Sequence, residues 1–464
     1  MGWYQGLTCS QRRILVSLAA TVIVVVGLLV WSVWSTLGSR PALSPLPTPV
    51  LTPVSVLPTP TAQPSPTSTI EAVPSPSPTF EVSRAGFVAA AVAEARQARV
   101  RWGTPLTLVD DTGMAQAIYT HYQAHPPLLE RAQPSLEALH LWFWDPLRLD
   151  VVSQAKGAAA FYAPELKELY LRRDWTSSLD VLDVHLAYGY ARALPDQMGT
   201  IEAFLDDGAS LDRWLAAAAV ADGDALVSVW LYRGVEPGTA AARAIQDEIA
   251  EAICPHWRAE DPLLATVSCL PIRLGADFAT SQYLAGGVPA LDAAILRPPR
   301  STEQLLDPER YATGDEPRAL LPMAPQLGRD WVLTSTETLG AALMRVVLGE
   351  LSDGAIADEA VSGWGGDLLQ VWQTSEGETV AAWQTAWDDI SAAMAFYGHL
   401  RDELPGGLVE GTARGVTPTV RLPGGRWWAG TRGVVFLYRR GDTVWLIWGD
   451  EPTAVETVVA SVGQ

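Results

Sequence analysis

Residues 177–197, SSLDVLDVHLAYGYARALPDQ, hold a clear helical pattern and the positions on which the functional interpretation depends. Ser177 or Ser178 can cap a helix, and Pro195 is expected to end it. Between them, five positions recur at helical spacing: Val181, Val184, His185, Tyr188 and Ala191. The stretch therefore predicts a helix that carries a histidine among its periodic positions.

The segments before this helix predict a small mixed arrangement. Residues 85–100 have a small-residue helical composition, 106–109 predict a short strand, and 112–122 predict a helix. Residues 160–172, AFYAPELKELYLR, alternate apolar and polar side chains around Pro164-Glu165, which is typical of a hairpin.

Two further segments follow the helix. Residues 212–232, DRWLAAAAVADGDALVSVWLY, favour a second helix, in which Gly223 costs about 1 kcal/mol relative to alanine. Residues 298–311, PPRSTEQLLDPERY, contain a Ser301/Gln304 capping box before a short helix. The expected fold class is α+β, with a mainly helical first part that includes the hairpin.

This order of hairpin, helix, helix and PPRSTEQLLDPERY resembles a bacterial family of membrane-anchored zincin metallopeptidases. In that family the first helix carries H-E-x-x-H followed by A-L-x-D-Q, and the second carries V-E-G-D-A. A P-P-R-S-T-E-Q-[IL]-L-H-P segment comes next. The similarity covers most of residues 100–317. It implies a zincin-like domain, which we assign to residues 85–318.

The residues that would carry the chemistry have changed. Zinc peptidases place two histidines at i and i+4 on one helix face, with a glutamate beside the first as the base. Here His185 occupies the first histidine position, but Leu186 replaces the glutamate and Gly189 replaces the second histidine. Asp222 stands at the V-E-G-D-A glutamate position. We therefore predict no catalytic residue, no metal ligand and no cofactor, with these four positions as remnants of a motif.

Each of these residues also has a structural interpretation. His185 can be a helix histidine that is hydrogen-bonded to a neighbour, and Asp222 and Asp224 can cap or bridge helices. His121 and His125 have i,i+4 spacing, but no glutamate follows His121, so we interpret them as a surface pair. The remaining histidines show no ligand spacing: His140, His256 and His399. No G-x-S-x-G elbow, P-loop or dinucleotide fingerprint is present.

The N-terminal region predicts a membrane anchor. Residues 14–37, ILVSLAATVIVVVGLLVWSVWSTL, have no ionisable side chain, and about 20 apolar helical residues cross a bilayer. Arg12 and Arg13 precede the run, so the positive-inside rule places the N-terminus in the cytoplasm. The alternative is cleavage as a signal sequence. We expect a single-pass protein of the cell membrane, with residues 1–38 as tip and anchor and later residues extracytoplasmic.

Composition limits the remaining possibilities. Residues 39–84 are rich in Pro, Ser and Thr, which predicts an extended, disordered stalk. A net charge of -20 over 464 residues argues against a nucleic-acid partner. Of the three cysteines, Cys254 and Cys269 can form a disulfide outside the cytoplasm, with two buried free thiols as the alternative.

Residues 319–464 predict a small antiparallel α+β domain. Two hairpins, each followed by a helix (388–404 and 452–462), indicate a pseudo-repeat with helices on one sheet face. Residues 426–440, RWWAGTRGVVFLYRR, are interpreted as one arm of the second hairpin. Eight tryptophans predict core packing or, alternatively, an exposed aromatic strip: Trp364, Trp372, Trp383, Trp387, Trp427, Trp428, Trp445 and Trp448.

Three functional hypotheses follow. The first is a membrane-tethered, extracytoplasmic pseudo-metallopeptidase that acts by binding a protein or cell-envelope partner, or as a structural part. The second is an active zinc metallopeptidase with non-standard ligands. The third is a cell-surface module whose aromatic sheet binds a glycan or peptide.

Overall fold

The described residues of the computed structural model are 78–124, 126–139, 159–173, 179–198, 209–253, 262–349, 354–404, 408–410, 420–430 and 433–462. They belong to one compact unit, Pro74–Gln464. The predicted anchor at 14–37 lies outside the described residues, as do Cys254, His125, His140 and His256.

The helices of the described ranges follow here in chain order: α1 (Pro78–Ala95), α2 (Asp111–Ala124), α3 (Pro126–Ala138), α4 (Leu179–Gln197), α5 (Leu211–Tyr232), α6 (Ala240–Ile253), α7 (Pro262–Leu296), α8 (Glu303–Leu306), α9 (Pro308–Thr313), α10 (Gly340–Gly349), α11 (Gly354–Val361), α12 (Ile390–Glu403) and α13 (Pro452–Ala460). The first helix begins earlier than predicted, so the last residues of the predicted stalk are helical. Helix α4 continues past Pro195 to Gln197, two residues beyond the expected stop.

The strands are β1 (Leu106–Val109), β2 (Ala160–Ala163), β3 (Glu168–Arg172), β4 (Val332–Glu337), β5 (Trp364–Gln373), β6 (Thr379–Trp387), β7 (Leu408–Glu410), β8 (Arg426–Gly430), β9 (Gly433–Arg440) and β10 (Thr443–Gly449). The predicted hairpin is confirmed, because β2 and β3 pair antiparallel. Strand β1 joins it in parallel on the other side of β3, which gives a three-stranded sheet.

A seven-stranded sheet forms the C-terminal part, in the order β4-β5-β6-β10-β9-β8-β7, and all its pairs are antiparallel. The α+β class with an antiparallel C-terminal sheet is therefore confirmed. The interpretation of residues 426–440 as one strand was wrong. They form two strands, β8 and β9, which pair with each other and meet at Gly430 and Gly433.

The prediction that helices cover one face of this sheet was also wrong. Leu446 and Trp383 face one side, where Phe396 of α12 packs against the sheet. Ile447 and Ala382 face the other side, which α13 covers with Val455 and its neighbours. The two hairpin–helix units therefore differ in placement, because α12 and α13 lie on opposite faces of the sheet.

Tryptophan packing follows the predicted core interpretation. Seven of the eight singled-out tryptophans are buried: Trp364, Trp372, Trp383, Trp387, Trp428, Trp445 and Trp448. Trp427 is partly buried and packs its ring 4.7 Å from that of Phe436. All of these tryptophans except Trp445 belong to the two apolar cores on the sheet's faces, and Trp445 stacks on Tyr438.

One apolar core contains residues from both sides of position 318. Leu136 and Leu139, from the helical part, cluster with Leu369 and Trp448 of the sheet. The indole Nε1 of Trp448 also donates a hydrogen bond to the carbonyl oxygen of Ala138 at 2.9 Å. The predicted division into domains 85–318 and 319–464 stays a prediction, but this core spans the proposed boundary.

Helix α5 lies at the centre of the helical part. Among the described helices it is long and apolar enough to cross a membrane, yet 78% of its apolar window is buried in the unit, as in a core helix. It crosses α7 at Gly223 and Gly275, where a Cβ on Gly223 would lie 2.1 Å from the carbonyl oxygen of Gly275. The glycine that costs helix propensity therefore permits a close backbone approach.

Candidate functional site

Three of the four positions singled out by the resemblance lie on α4, namely His185, Leu186 and Gly189. This helix packs between α1, α5 and the three-stranded sheet. His185 is 2% exposed, and burial lowers its pKa to about 4. The imidazole is therefore neutral near pH 7. Leu186, at the position that the resemblance aligns with a catalytic glutamate, is 1% exposed and belongs to the same apolar core as Val184 and Ala187.

Gly189 occupies a position that β3 closes. A Cβ built on Gly189 would lie 2.5 Å from Cδ1 of Leu169, well inside van der Waals contact. Leu169 is fully buried on β3. A histidine side chain at position 189 would therefore require the buried side chain of Leu169 to move.

Asp222 of α5 has partners of its own. The hydroxyl of Tyr188 donates a hydrogen bond to Asp222 Oδ1 at 2.7 Å. Nη1 of Arg192 lies 3.1 Å from the same oxygen. Burial, followed by the charge of Asp222, raises the Tyr188 pKa well above its usual value. The carboxylate that the resemblance places at a zinc ligand position is thus hydrogen-bonded by a tyrosine hydroxyl and neutralised by a guanidinium.

The A-L-P-D-Q end of α4 holds neighbouring segments. Asp196 accepts hydrogen bonds from the hydroxyl of Tyr162 and from Nζ of Lys167, the latter at 2.9 Å. Gln197 Oε1 accepts the backbone N–H of Arg101 at 2.7 Å. These residues tie the hairpin and the 101–102 segment to α4.

Asp224 lies two residues beyond Asp222 in a separate buried ion pair. Nε of Arg96 donates to Asp224 Oδ1 at 2.8 Å, and Nη2 of Arg96 donates to Asp292 Oδ1 at 2.7 Å. The side chains of Arg96 and Asp224 are each 2% exposed. Burial raises the pKa of Asp224, while Arg96 opposes that shift. Sequence reasoning placed Asp224 between helices but missed Arg96, which lies far away in the chain.

The PPRSTEQLL segment connects the helical part to the sheet. Thr302 donates its N–H and its hydroxyl to Asp212 Oδ1, at 2.9 and 2.5 Å. The Thr302 hydroxyl in turn accepts the N–H of Ala342 at 3.0 Å, at the start of α10. The predicted capping box is shifted, because Ser301 Oγ accepts the N–H of Gln304 while the Gln304 side chain accepts that of Arg300.

Two buried carboxylates lie around the start of α10. Asp367 accepts the N–H groups of Leu339 and Gly340, at 3.0 and 2.9 Å, and the indole N–H of Trp383 at 3.0 Å. Burial outweighs these bonds and raises the pKa of Asp367 to about 6. Burial likewise raises the pKa of Asp212 to about 7.

The other histidines singled out in the sequence that the structure describes lie on helices other than α4 and α5. His121 lies on α2, and His399 is buried on α12, where burial lowers its pKa. Within the ranges that the structure describes, no group of three or more His, Cys, Asp or Glu side chains could hold a metal ion. Cys269 is disulfide-bonded. Its predicted partner, Cys254, lies outside those ranges, so the pairing stays a prediction.

Comparison with known proteins adds one match. A family model described as "Domain of unknown function (DUF8575)" matches residues 331–459. The matched range begins beside β4 and ends in α13, so it covers the seven-stranded sheet with its helices. No curated protein and no solved structure matches the chain.

Proposed function

We propose that the chain is a membrane-tethered, extracytoplasmic pseudo-metallopeptidase that binds a protein or cell-envelope partner, or serves as a structural part. The observation that carries this proposal is the state of Asp222, whose Oδ1 is engaged by Tyr188 and Arg192. The closure of position 189 by Leu169 adds to it. The apolar run at 14–37 supports the tether.

This arrangement argues against zinc-dependent hydrolysis on two counts, metal ligation and proton acceptance. A zincin needs three protein ligands and a base that takes a proton from zinc-bound water. Leu186 cannot accept a proton, and Gly189 has no side chain to ligate a metal. Arg192 brings a positive charge to Asp222, which opposes the approach of a divalent cation to the same carboxylate.

Zinc content tests the proposal against the hypothesis of an active enzyme with non-standard ligands. The full chain, purified in mild detergent, is incubated with zinc, desalted, and analysed for zinc per chain and for cleavage of a general protease substrate. We expect far less than one zinc per chain and no chelator-sensitive cleavage. His185→Gln serves as the matched variant, and its zinc content should equal that of the wild type. Stoichiometric zinc that this variant loses, together with chelator-sensitive cleavage, would overturn the proposal.

The membrane part has its own test. The full chain should sediment with membranes, and a protease added outside intact cells should degrade the part beyond residue 84. A variant that lacks residues 14–37 should leave the membrane fraction. Membrane association that persists without this segment would contradict the tether.

The aromatic-sheet hypothesis has less support from the geometry, because seven of the eight tryptophans are buried. Trp427 is the partly exposed member. If the sheet bound glycans or peptides through these rings, Trp427→Ala would abolish binding of the full chain to isolated cell envelope. We expect this substitution to leave envelope binding unchanged.

A further inference from the structure

A pocket of about 580 Å³ lies beside the end of α4 and the segment that follows α1. Its lining combines acidic, basic and apolar side chains: Arg99, Arg101, Leu194, Met198, Asp224 and Asp292. Its volume lies in the range of sites for small organic ligands, roughly 300–1,000 Å³. This pocket is distinct from the remnant motif at His185 and Asp222.

A buried carboxylate oxygen in the pocket lining lacks a donor. Asp224 Oδ1 accepts from Arg96, but Asp224 Oδ2 is buried without a hydrogen-bond partner in the part of the chain that the structure describes. Buried carboxylate oxygens are normally satisfied, because leaving one unpaired costs free energy. Asp292 adds a half-exposed carboxylate to the same lining. With Arg96 between two aspartates, this side of the pocket has a net charge of -1.

The opposite charge lies at the exposed part of the lining. Arg99 and Arg101 are exposed, and no ion pair of either side chain occurs within the described ranges. Two guanidinium groups attract a carboxylate, which they can bind in bidentate geometry. Leu194 and Met198 supply apolar surface in the same pocket.

We propose that this pocket binds a small zwitterion, namely an amino acid or a short peptide with free termini. The α-ammonium group donates to Asp292, the half-exposed carboxylate of the lining, and the carboxylate binds Arg99 and Arg101. An apolar side chain contacts Leu194 and Met198. The inference does not depend on the loss of catalysis, because it uses none of the remnant motif positions.

Calorimetry with defined probes tests the inference on the full chain. The probes are L-leucine, leucyl-leucine and trileucine, each compared with its N-acetylated and its C-amidated form. We expect at least one free probe to bind, and each blocked form to bind about tenfold to a hundredfold more weakly, since each loses a charge-assisted contact. The length that binds best distinguishes a free amino acid from a peptide. Absence of binding by every free probe, or equal binding of free and blocked forms, would overturn the inference.

Variants assign the contacts. Arg99→Gln combined with Arg101→Gln should weaken the free probe about tenfold or more and leave the C-amidated form unaffected. Arg243→Gln, an exposed arginine on α6, is the matched control and should bind as the wild type does. Asp292→Asn should weaken the free probe more than its N-acetylated form. If the Asp292→Asn and double arginine variants both bind like the wild type, the proposal fails.

Discussion

The crossing of α5 and α7 gives a prediction in which helix propensity and packing oppose each other. Gly223→Ala should stabilise an isolated helix by about 1 kcal/mol. In the fold, the new Cβ would lie 2.1 Å from the carbonyl oxygen of Gly275 and 2.8 Å from Cβ of Ala279. Ordinary carbon–oxygen contacts are about 3.3–3.6 Å, so the helices must separate by roughly 1 Å.

The free-energy cost of separating the two helices exceeds the stabilisation gained from the higher helix propensity of alanine. The obstructing atom is a backbone oxygen, which no rotamer change can move away, and overpacking in cores costs roughly 1–3 kcal/mol or more. Because both helices are buried along this contact, we expect Gly223→Ala to lower the free energy of unfolding by about 2 kcal/mol or more. Gly275→Ala should act alike, since its Cβ would lie 2.0 Å from the carbonyl oxygen of Ala219.

Urea unfolding followed by tryptophan fluorescence measures these effects. Gly398→Ala is the matched control, because Gly398 lies inside α12 and no atom lies within 4 Å of its Cβ position. This variant should be more stable than the wild type by about 0.5–1 kcal/mol. A Gly223→Ala protein that unfolds at the same or a higher urea concentration than the wild type would refute the packing argument.

Three other predictions concern buried acids, the closed motif and the disulfide. Because the folded-state pKa of Asp212 is raised to about 7, its contribution to stability is complete below pH 4 and is lost as pH rises towards 7. The free energy of unfolding, measured by urea titration, should therefore fall by on the order of 2 kcal/mol from pH 5 to pH 8, and Asp212→Asn should flatten that slope. Gly189→His should destabilise the unit by displacing Leu169 and should gain no zinc, as thermal melts and metal analysis can show. Non-reducing peptide mapping should recover Cys254 linked to Cys269, and separate thiol-alkylated peptides would contradict the pairing.

Much of the local structure could be predicted from sequence, because it depends on side-chain periodicity. Alternation around Pro164-Glu165 identified the hairpin, and helical spacing identified α4 and α5. The error about the sheet faces was avoidable. In β10, Val444 and Leu446 on one face and Trp445 and Ile447 on the other are all apolar, which is typical of a sheet covered on both sides.

The polar contacts of the site could not be derived in the same way. Arg96 and Asp292 are 196 residues apart in the chain, and Tyr188 meets Asp222 from a different helix. Sequence spacing identifies residues that share a helix face, but it does not say which distant charges meet. The resemblance singled out Asp222, whereas its contacts with Tyr188 and Arg192 became visible only in three dimensions.

The contact of Arg192 with Asp222 has a consequence for how the packing of α4 against α5 responds to its surroundings. A bound metal can dissociate, be removed by a chelator or be exchanged for another ion. A guanidinium is covalently part of the polypeptide and stays protonated at physiological pH. The helices that meet at Asp222 therefore keep their counter-charge regardless of zinc supply, and their geometry should be the same in metal-poor and metal-rich environments.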